Sequence, residues 1–403
     1  MALDLIDRPP KTQIMRLNKP PMQALRTEWA LIAALSLSFL VSGFVVLSVA
    51  WQPDLALRWL ILPSLVVAYL LCVLWKNLGA NHRESETELL PDLGWGNRLT
   101  LLRGLLVAGM LGFLLLPRPE GWLIWVPGVL YILSDATDFF DGFIARLTNH
   151  TTALGKILEM SFDGLGVLAA SLLVVLYGQA PTWYLLVGFA RYLFLAGEWL
   201  RRRLGRPTYP APPSLYRRVF AALQMGFLAV ALLPLIPPPG IHIAATLFGL
   251  PLLAGFGRDW LYVTGVLRCN TEHKTGFQAW VVQWLPVGLR ITILAVNLSF
   301  LGVWFTAIQA NPLALVLFGL LGVLSVLMLA LGILPRVASV MALVGLGLAQ
   351  LLAPLTPMQI GLGVTYILIL YVGSGAFSLW APEDYLVQHA IGQRQVRSTG
   401  QQT

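Results

Sequence analysis

Asp138 and Asp141 stand three residues apart and Glu159 and Asp163 four apart, in a stretch flanked on both sides by apolar runs. A carboxylate near the hydrocarbon of a bilayer is costly, so acids in such a setting point to a site with a partner. On helices, spacings of three and four put each pair on a single face. Gly142, Gly155 and a polar turn from Leu147 to Thr152 lie between the pairs, which predicts helix, bend, helix. Four hard oxygen donors aimed at one spot suit a divalent cation, Mg2+ or Mn2+.

From Asp138 to Asp163 the residues spell D-x2-D-G-x2-A-R-x8-G-x3-E-x3-D. This string resembles the signature of the CDP-alcohol phosphotransferases, also called CDP-alcohol phosphatidyltransferases, integral membrane enzymes that make phospholipid head groups. Asp138, Asp141, Gly142, Ala145, Arg146, Gly155 and Asp163 fit it, and Glu159 stands where the family has a third Asp. Glu159 reads either as a longer ligand in the same metal site or as the mark of a copy that lost activity. Upstream, Asn97 to Arg103 resembles the family's N-x-x-T-x-x-R opening. Downstream, Ser214 to Gln224 resembles its S-x2-G-K-x2-T-x2-Q segment, with Arg217, Arg218 and Ala221 as departures. The resemblance covers about Asp92 to Val266.

The resemblance implies transfer of a phosphatidyl or other substituted phosphate group from a CDP-alcohol, such as CDP-diacylglycerol, to an alcohol, with release of CMP. It assigns Asp138, Asp141 and Glu159 as metal ligands. Asp163 matches the base that takes the acceptor's proton and counts among the ligands as well. Asn97, Thr100, Gly142, Ala145, Arg146, Thr152 and Gly155 become nucleotide contacts. Gly142 and Ala145 would leave room for nucleotide beside the helix, and Arg146 would pair with phosphate.

These residues need a membrane scaffold, and the bulk composition agrees. The chain is 57% hydrophobic and 11% charged, where an ordinary soluble domain is about 25% charged. Cys72 and Cys269 lie far apart, which suggests neither a disulfide framework nor a zinc cluster. Counting stretches of about 20 apolar residues gives an all-α polytopic integral membrane bundle of about twelve transmembrane helices, grouped as two, six and four. The divisions are 1–98, an N-terminal segment, two-helix hairpin and polar linker; 99–267, the six-helix phosphotransferase domain; and 268–403, a four-helix block with a polar, mobile tail. One helix is expected from Leu154 to Tyr177. The last four are expected at Leu285 to Phe305, Pro312 to Ile333, Val337 to Leu352 and Ile360 to Leu379.

With the N terminus in the cytoplasm, nearly all loop Lys and Arg fall inside and only Arg58 and Arg118 outside, as the positive-inside rule prefers. The carboxylates then face the cytoplasm, in an integral protein of a bacterial plasma membrane. Arg201 to Arg203 read as a topology anchor and His150 as a solvated loop residue. Arg191, Arg218 and Arg258 sit within or at the edges of apolar helices and suggest an anionic acceptor, such as glycerol 3-phosphate or inositol phosphate. Glu198 and Asp259 are close enough in sequence to neutralise two of them instead. In the C-terminal block, Leu331 to Val337 and Gly373 to Leu379 faintly resemble DoxX-type membrane proteins and imply no chemistry. That block and the N-terminal hairpin are left to packing or oligomerisation, a homodimer included. The expected partners are the CDP-linked substrate and membrane lipids, not nucleic acid. A cation-coupled transporter and a silent membrane scaffold are the competing classes; acids bunched at one membrane face rather than at the midplane argue against the transporter.

Overall fold

A computed structural model of the chain describes residues 21–83, 86–162, 164–211, 215–236, 238–267, 276–299, 321–349 and 354–383. The sequence-based expectations for the N-terminal segment, the 268–275 connection and the polar tail fall outside them, as does Asp163. Among the described residues every regular element is helical. Six helices are long and apolar enough to cross a membrane, and four more are apolar but shorter. The protein is an all-α membrane bundle.

Helices α1 (Pro21–Ala50) and α2 (Pro53–Asn77) form the N-terminal hairpin. Pro53 opens α2 at no hydrogen-bond cost, because the first helical N–H groups have no intrahelical partner. In lipid, helices associate through close packing and polar contacts rather than by hydrophobic expulsion, so small residues mark the interfaces. Here Gly43 of α1 and Gly112 after α3 lie against the Trp59 ring, leaving no space for a Cβ. The Trp59 indole N–H donates to the Gly109 carbonyl at 2.9 Å. The hairpin is thereby docked on α3.

Helix α3 (Gly94–Leu111) is buried along most of its length and crosses α4 (Val126–Leu147) closely. The crossing is set by Gly96, where a Cβ would stand 2.8 Å from that of Ala145. Next come α5 (Ala153–Phe162) and α6 (Leu165–Leu176). Together they make the single apolar span that the sequence predicts here, interrupted before Gly164, whose φ of +85° is a left-handed conformation. Helices α7 (Leu185–Arg203), α8 (Leu215–Leu232) and α9 (Pro238–Val263) complete the block. Its core joins Phe113, Tyr131, Leu173, Tyr184 and Phe227.

The C-terminal block comprises α10 (Gly276–Ser299), α11 (Leu324–Leu331), α12 (Pro335–Ala349) and α13 (Pro357–Val372). Helix α10 begins nine residues before the predicted Leu285, and the predicted Pro312 to Ile333 helix is described only from residue 321. The last helix starts earlier than predicted because Thr356 and Gln359 form a reciprocal capping box, and it stops at Val372. Residues 373–380 turn back over Arg290. The buried Arg290 guanidinium donates to the carbonyls of Ala330, Ser374, Ala376 and Phe377 and to the Ser378 hydroxyl, at 3.1–3.3 Å. The backbone N–H groups of Leu379 and Trp380 donate to the Leu331 and Gly332 carbonyls, so the turns after α11 and α13 are also tied to each other. Helix α13 reaches the six-helix block through Tyr371, whose hydroxyl donates to the Leu247 carbonyl at 2.9 Å.

Candidate active site

Three polar side chains of α3, at intervals of three residues, are buried on the face toward α4 and α5: Asn97, Thr100 and Arg103. Each finds a partner there. The Asn97 amide donates to the Thr152 hydroxyl at 3.1 Å and to the Leu93 carbonyl at 2.8 Å. The Thr100 hydroxyl donates to Asp141 Oδ2 at 2.8 Å. The Arg103 guanidinium is ion-paired with Asp138. Spacings of three on α3 and α4 place these residues on facing stripes, so the pairs form a ladder. At its end Thr152 caps α5, accepting from the Gly155 N–H at 3.0 Å.

Size explains the small residues. A Cβ on Gly155 would come within 2.7 Å of Asn97 Oδ1, so glycine there lets α5 approach α3. Ala145 packs against Gly96, and its smallness serves the helix crossing. The space beside Gly142 lies next to the Arg146 guanidinium, 3.2 Å from where a Cβ would be. Arg146 is exposed at the end of α4, and Glu159 is exposed on α5. His150 is not a solvated loop residue: its ring packs on Gly94, and its Nε2 lies 3.6 Å from Asp92 Oδ1.

A cavity of about 200 Å³ opens beside the ladder. Its polar lining is Arg103, Ser134, Asp135, Asp138, Arg191 and Gln224. Arg103 Nε and Nη2 and both amide atoms of the buried Gln224 have no hydrogen-bond partner among the described residues. Buried donors without partners are rare and costly in finished interiors, and these line a space that a polar ligand fits. Arg191 stands beside Gly164, with its Cδ 2.8 Å from where a Cβ would be. Arg258 is not in this lining; it donates to the buried Asp259 carboxylate at 2.9 Å. The Arg218 side chain lies outside what the structure describes. Of the three arginines expected to converge, one therefore lines the cavity, one is neutralised locally and one is not described.

A sequence model of the CDP-alcohol phosphatidyltransferase domain matches residues 95–256. Cardiolipin synthase (CMP-forming) of Streptomyces coelicolor is 31% identical over 153 residues, 38% of this chain and 67% of that relative. The chain belongs to the CDP-alcohol phosphatidyltransferase family. CDP-diacylglycerol–glycerol-3-phosphate 3-phosphatidyltransferase of Cereibacter sphaeroides is 35% identical over 113 residues, 27% of this chain and 49% of the relative. The Bacillus subtilis protein of the same name is 36% identical over 69 residues, 17% and 36% of the two chains. The match to the Cereibacter sphaeroides relative thus spans about half of that relative's length. No solved structure matches.

As a member of this family the chain is expected to use a divalent metal. Among the described residues no three His, Cys, Asp or Glu side chains are grouped to hold an ion. Asp138 and Asp141 nonetheless fit one: they are hard oxygen donors on one face of α4, held by Arg103 and Thr100, with Asp138 at the cavity.

Asp135, Ser134 and Gln224 were not singled out from the sequence as site residues. Asp135 had a signal, since it extends the D-x2-D spacing one turn deeper into α4. Gln224 closes a stretch already noted for its resemblance. Arg103 likewise closes the N-x-x-T-x-x-R string.

Proposed function

We propose that this phosphatidyltransferase-family protein moves a phosphatidyl or other substituted phosphate group from a CDP-alcohol, such as CDP-diacylglycerol, to an alcohol acceptor and releases CMP. The observation that carries the reading is the α3–α4 ladder, which sets Asp138 at a polar cavity inside a membrane bundle, with Asp141 three residues along the same helix.

Asp138 and Asp141, with Glu159 and Asp163, would hold Mg2+ or Mn2+. Such an ion, when bound, would supply positive charge to offset that of the pyrophosphate and of the departing CMP. The chain's own residues supply the rest. Asn97, Thr100, Thr152 and the small residues at 142, 145 and 155 shape the nucleotide end, where Arg146 offers phosphate a cation. The acceptor hydroxyl attacks the phosphorus distal to cytidine, the bond from that phosphorus to the CMP oxygen breaks, and the hydroxyl proton passes to the Asp163 carboxylate.

For the acceptor we favour a phosphorylated polyol such as glycerol 3-phosphate, with inositol phosphate next. Arg191 lines the cavity, guanidinium groups suit phosphate, and two of the named relatives are CDP-diacylglycerol–glycerol-3-phosphate 3-phosphatidyltransferases. Ser134, Asp135 and Gln224 offer donors and acceptors to hydroxyl groups. We place the site on the cytoplasmic face, where CDP-linked substrates are made.

Purified protein with Mg2+ and CDP-diacylglycerol should release CMP with glycerol 3-phosphate or inositol phosphate. Turnover only with inositol, serine or choline would overturn the acceptor, and no CMP release with any of them would overturn the activity in favour of a silent scaffold. Cysteines placed near Arg146 should label only from the cytoplasmic side.

A further inference from the structure

The N-terminal hairpin and linker lie before the matched domain, yet they make polar contacts with both halves of the ladder. On α1, Glu28 accepts the Leu93 backbone N–H at 3.1 Å and pairs with Arg98 at 3.0 Å. Leu93 is the residue before α3, and its carbonyl accepts from the Asn97 amide. One residue therefore bridges Glu28 to the first rung. The linker grips the other side. His82 accepts the Ala153 N–H at 3.0 Å, and the Arg83 guanidinium donates to the Asn149 carbonyl at 3.1 Å, so the linker pairs with the turn that carries Thr152. Asn81, fully buried, closes the linker on itself by donating to the carbonyls of Leu90 and Asp92.

Packing alone would need none of this. A helix hairpin docks in lipid through small residues and ring contacts, as Gly43, Gly112 and Trp59 do. A carboxylate on the backbone N–H that precedes a site helix fixes that helix's start and its axial register. A misplacement of about 1 Å far from the reacting atoms can cost on the order of a hundredfold in rate.

We propose that residues 21–93 are a clamp on the catalytic constellation and that Glu28 is its positioning residue, holding the start of α3 so that Asn97 and Thr100 meet Thr152 and Asp141. This rests on reading the ladder as the active site.

The test compares the full-length parent with Glu28→Ala and Glu28→Gln. Glutamine keeps an oxygen for the Leu93 N–H, whereas alanine keeps nothing. Glu28→Ala should raise the KM for the CDP-linked donor or lower kcat about tenfold, leave the acceptor KM unchanged, and speed amide hydrogen exchange across residues 93–100. Glu28→Gln should stay within about threefold of the parent. A lower melting temperature in Glu28→Ala with parental kcat, KM and exchange would overturn the clamp, because that is what support without positioning gives. If the parent itself releases no CMP, the proposed activity falls and the exchange measurement alone decides the clamp.

Discussion

Among the described residues two arginines are buried between the membrane helices, Arg290 and Arg103, and they are used in opposite ways. Arg290 in the C-terminal block donates to four carbonyls and one hydroxyl and faces no described carboxylate. Arg103 in the six-helix block is paired with Asp138 but leaves two nitrogen donors without partners at the wall of a cavity. The Arg290 Nε is also without a partner, but both of its terminal nitrogens are spent on carbonyls and a hydroxyl, which makes it a staple joining the end of α11 and the turn after α13 to α10. A guanidinium with a terminal nitrogen in reserve is placed to meet something that arrives. Burial of a charge in a membrane protein does not by itself mark a site; terminal donors left unspent at the wall of a cavity do.

The sharpest way to test that contrast begins with the reacting groups. Asp163→Asn should reduce CMP release by about 10²–10⁴-fold, the usual contribution of a general base, while CDP-linked substrate still binds; equal activity in parent and variant would remove Asp163 from the mechanism. Arg103→Ala should lose on the order of a hundredfold, since it strips Asp138 of its partner and the cavity of its donors. For Glu159→Gln we expect a severely weakened magnesium dependence, seen in a metal titration; an unchanged requirement would favour the reading of Glu159 as a lost function. Thr100→Val breaks one hydrogen bond to Asp141, about 1 kcal/mol, and should cost roughly fivefold in kcat/KM. Arg290→Ala should leave kcat/KM at the parental value while lowering the melting temperature, because several carbonyls lose their donor. If it abolished CMP release at parental stability, the division between staple and site would be wrong.

Much of the architecture was legible because apolar length and carboxylate spacing are local signals. The D-x2-D pair predicted one face of one helix, and α4 presents it. Hydropathy located the hairpin and most helices of the six-helix block. Three things were not legible. The break at Gly164 was hidden because an apolar run of spanning length looks continuous whatever φ its glycine adopts. The pairing of Arg103 with Asp138 and of Thr100 with Asp141 depends on a helix crossing, set by Gly96 and Ala145, that no spacing rule on one helix contains. The role of Glu28 was equally invisible, since its partners are 65 and 70 residues away. The neutralisation of Arg258 by Asp259 was one of the two readings the sequence left open, and the structure takes it, while Arg191 lines the cavity.

The left-handed conformation at Gly164 carries a further consequence. Inside hydrocarbon an interrupted helix strands backbone groups that lipid cannot satisfy, so such an interruption survives only where it is enclosed by protein or faces a wet recess. Gly164 lies in the wall of the polar cavity. The interruption and the recess therefore lie together, as that rule requires. Selection acting on the shape of that recess would be felt as selection on the backbone conformation of one glycine, even though glycine brings no functional group to the reaction.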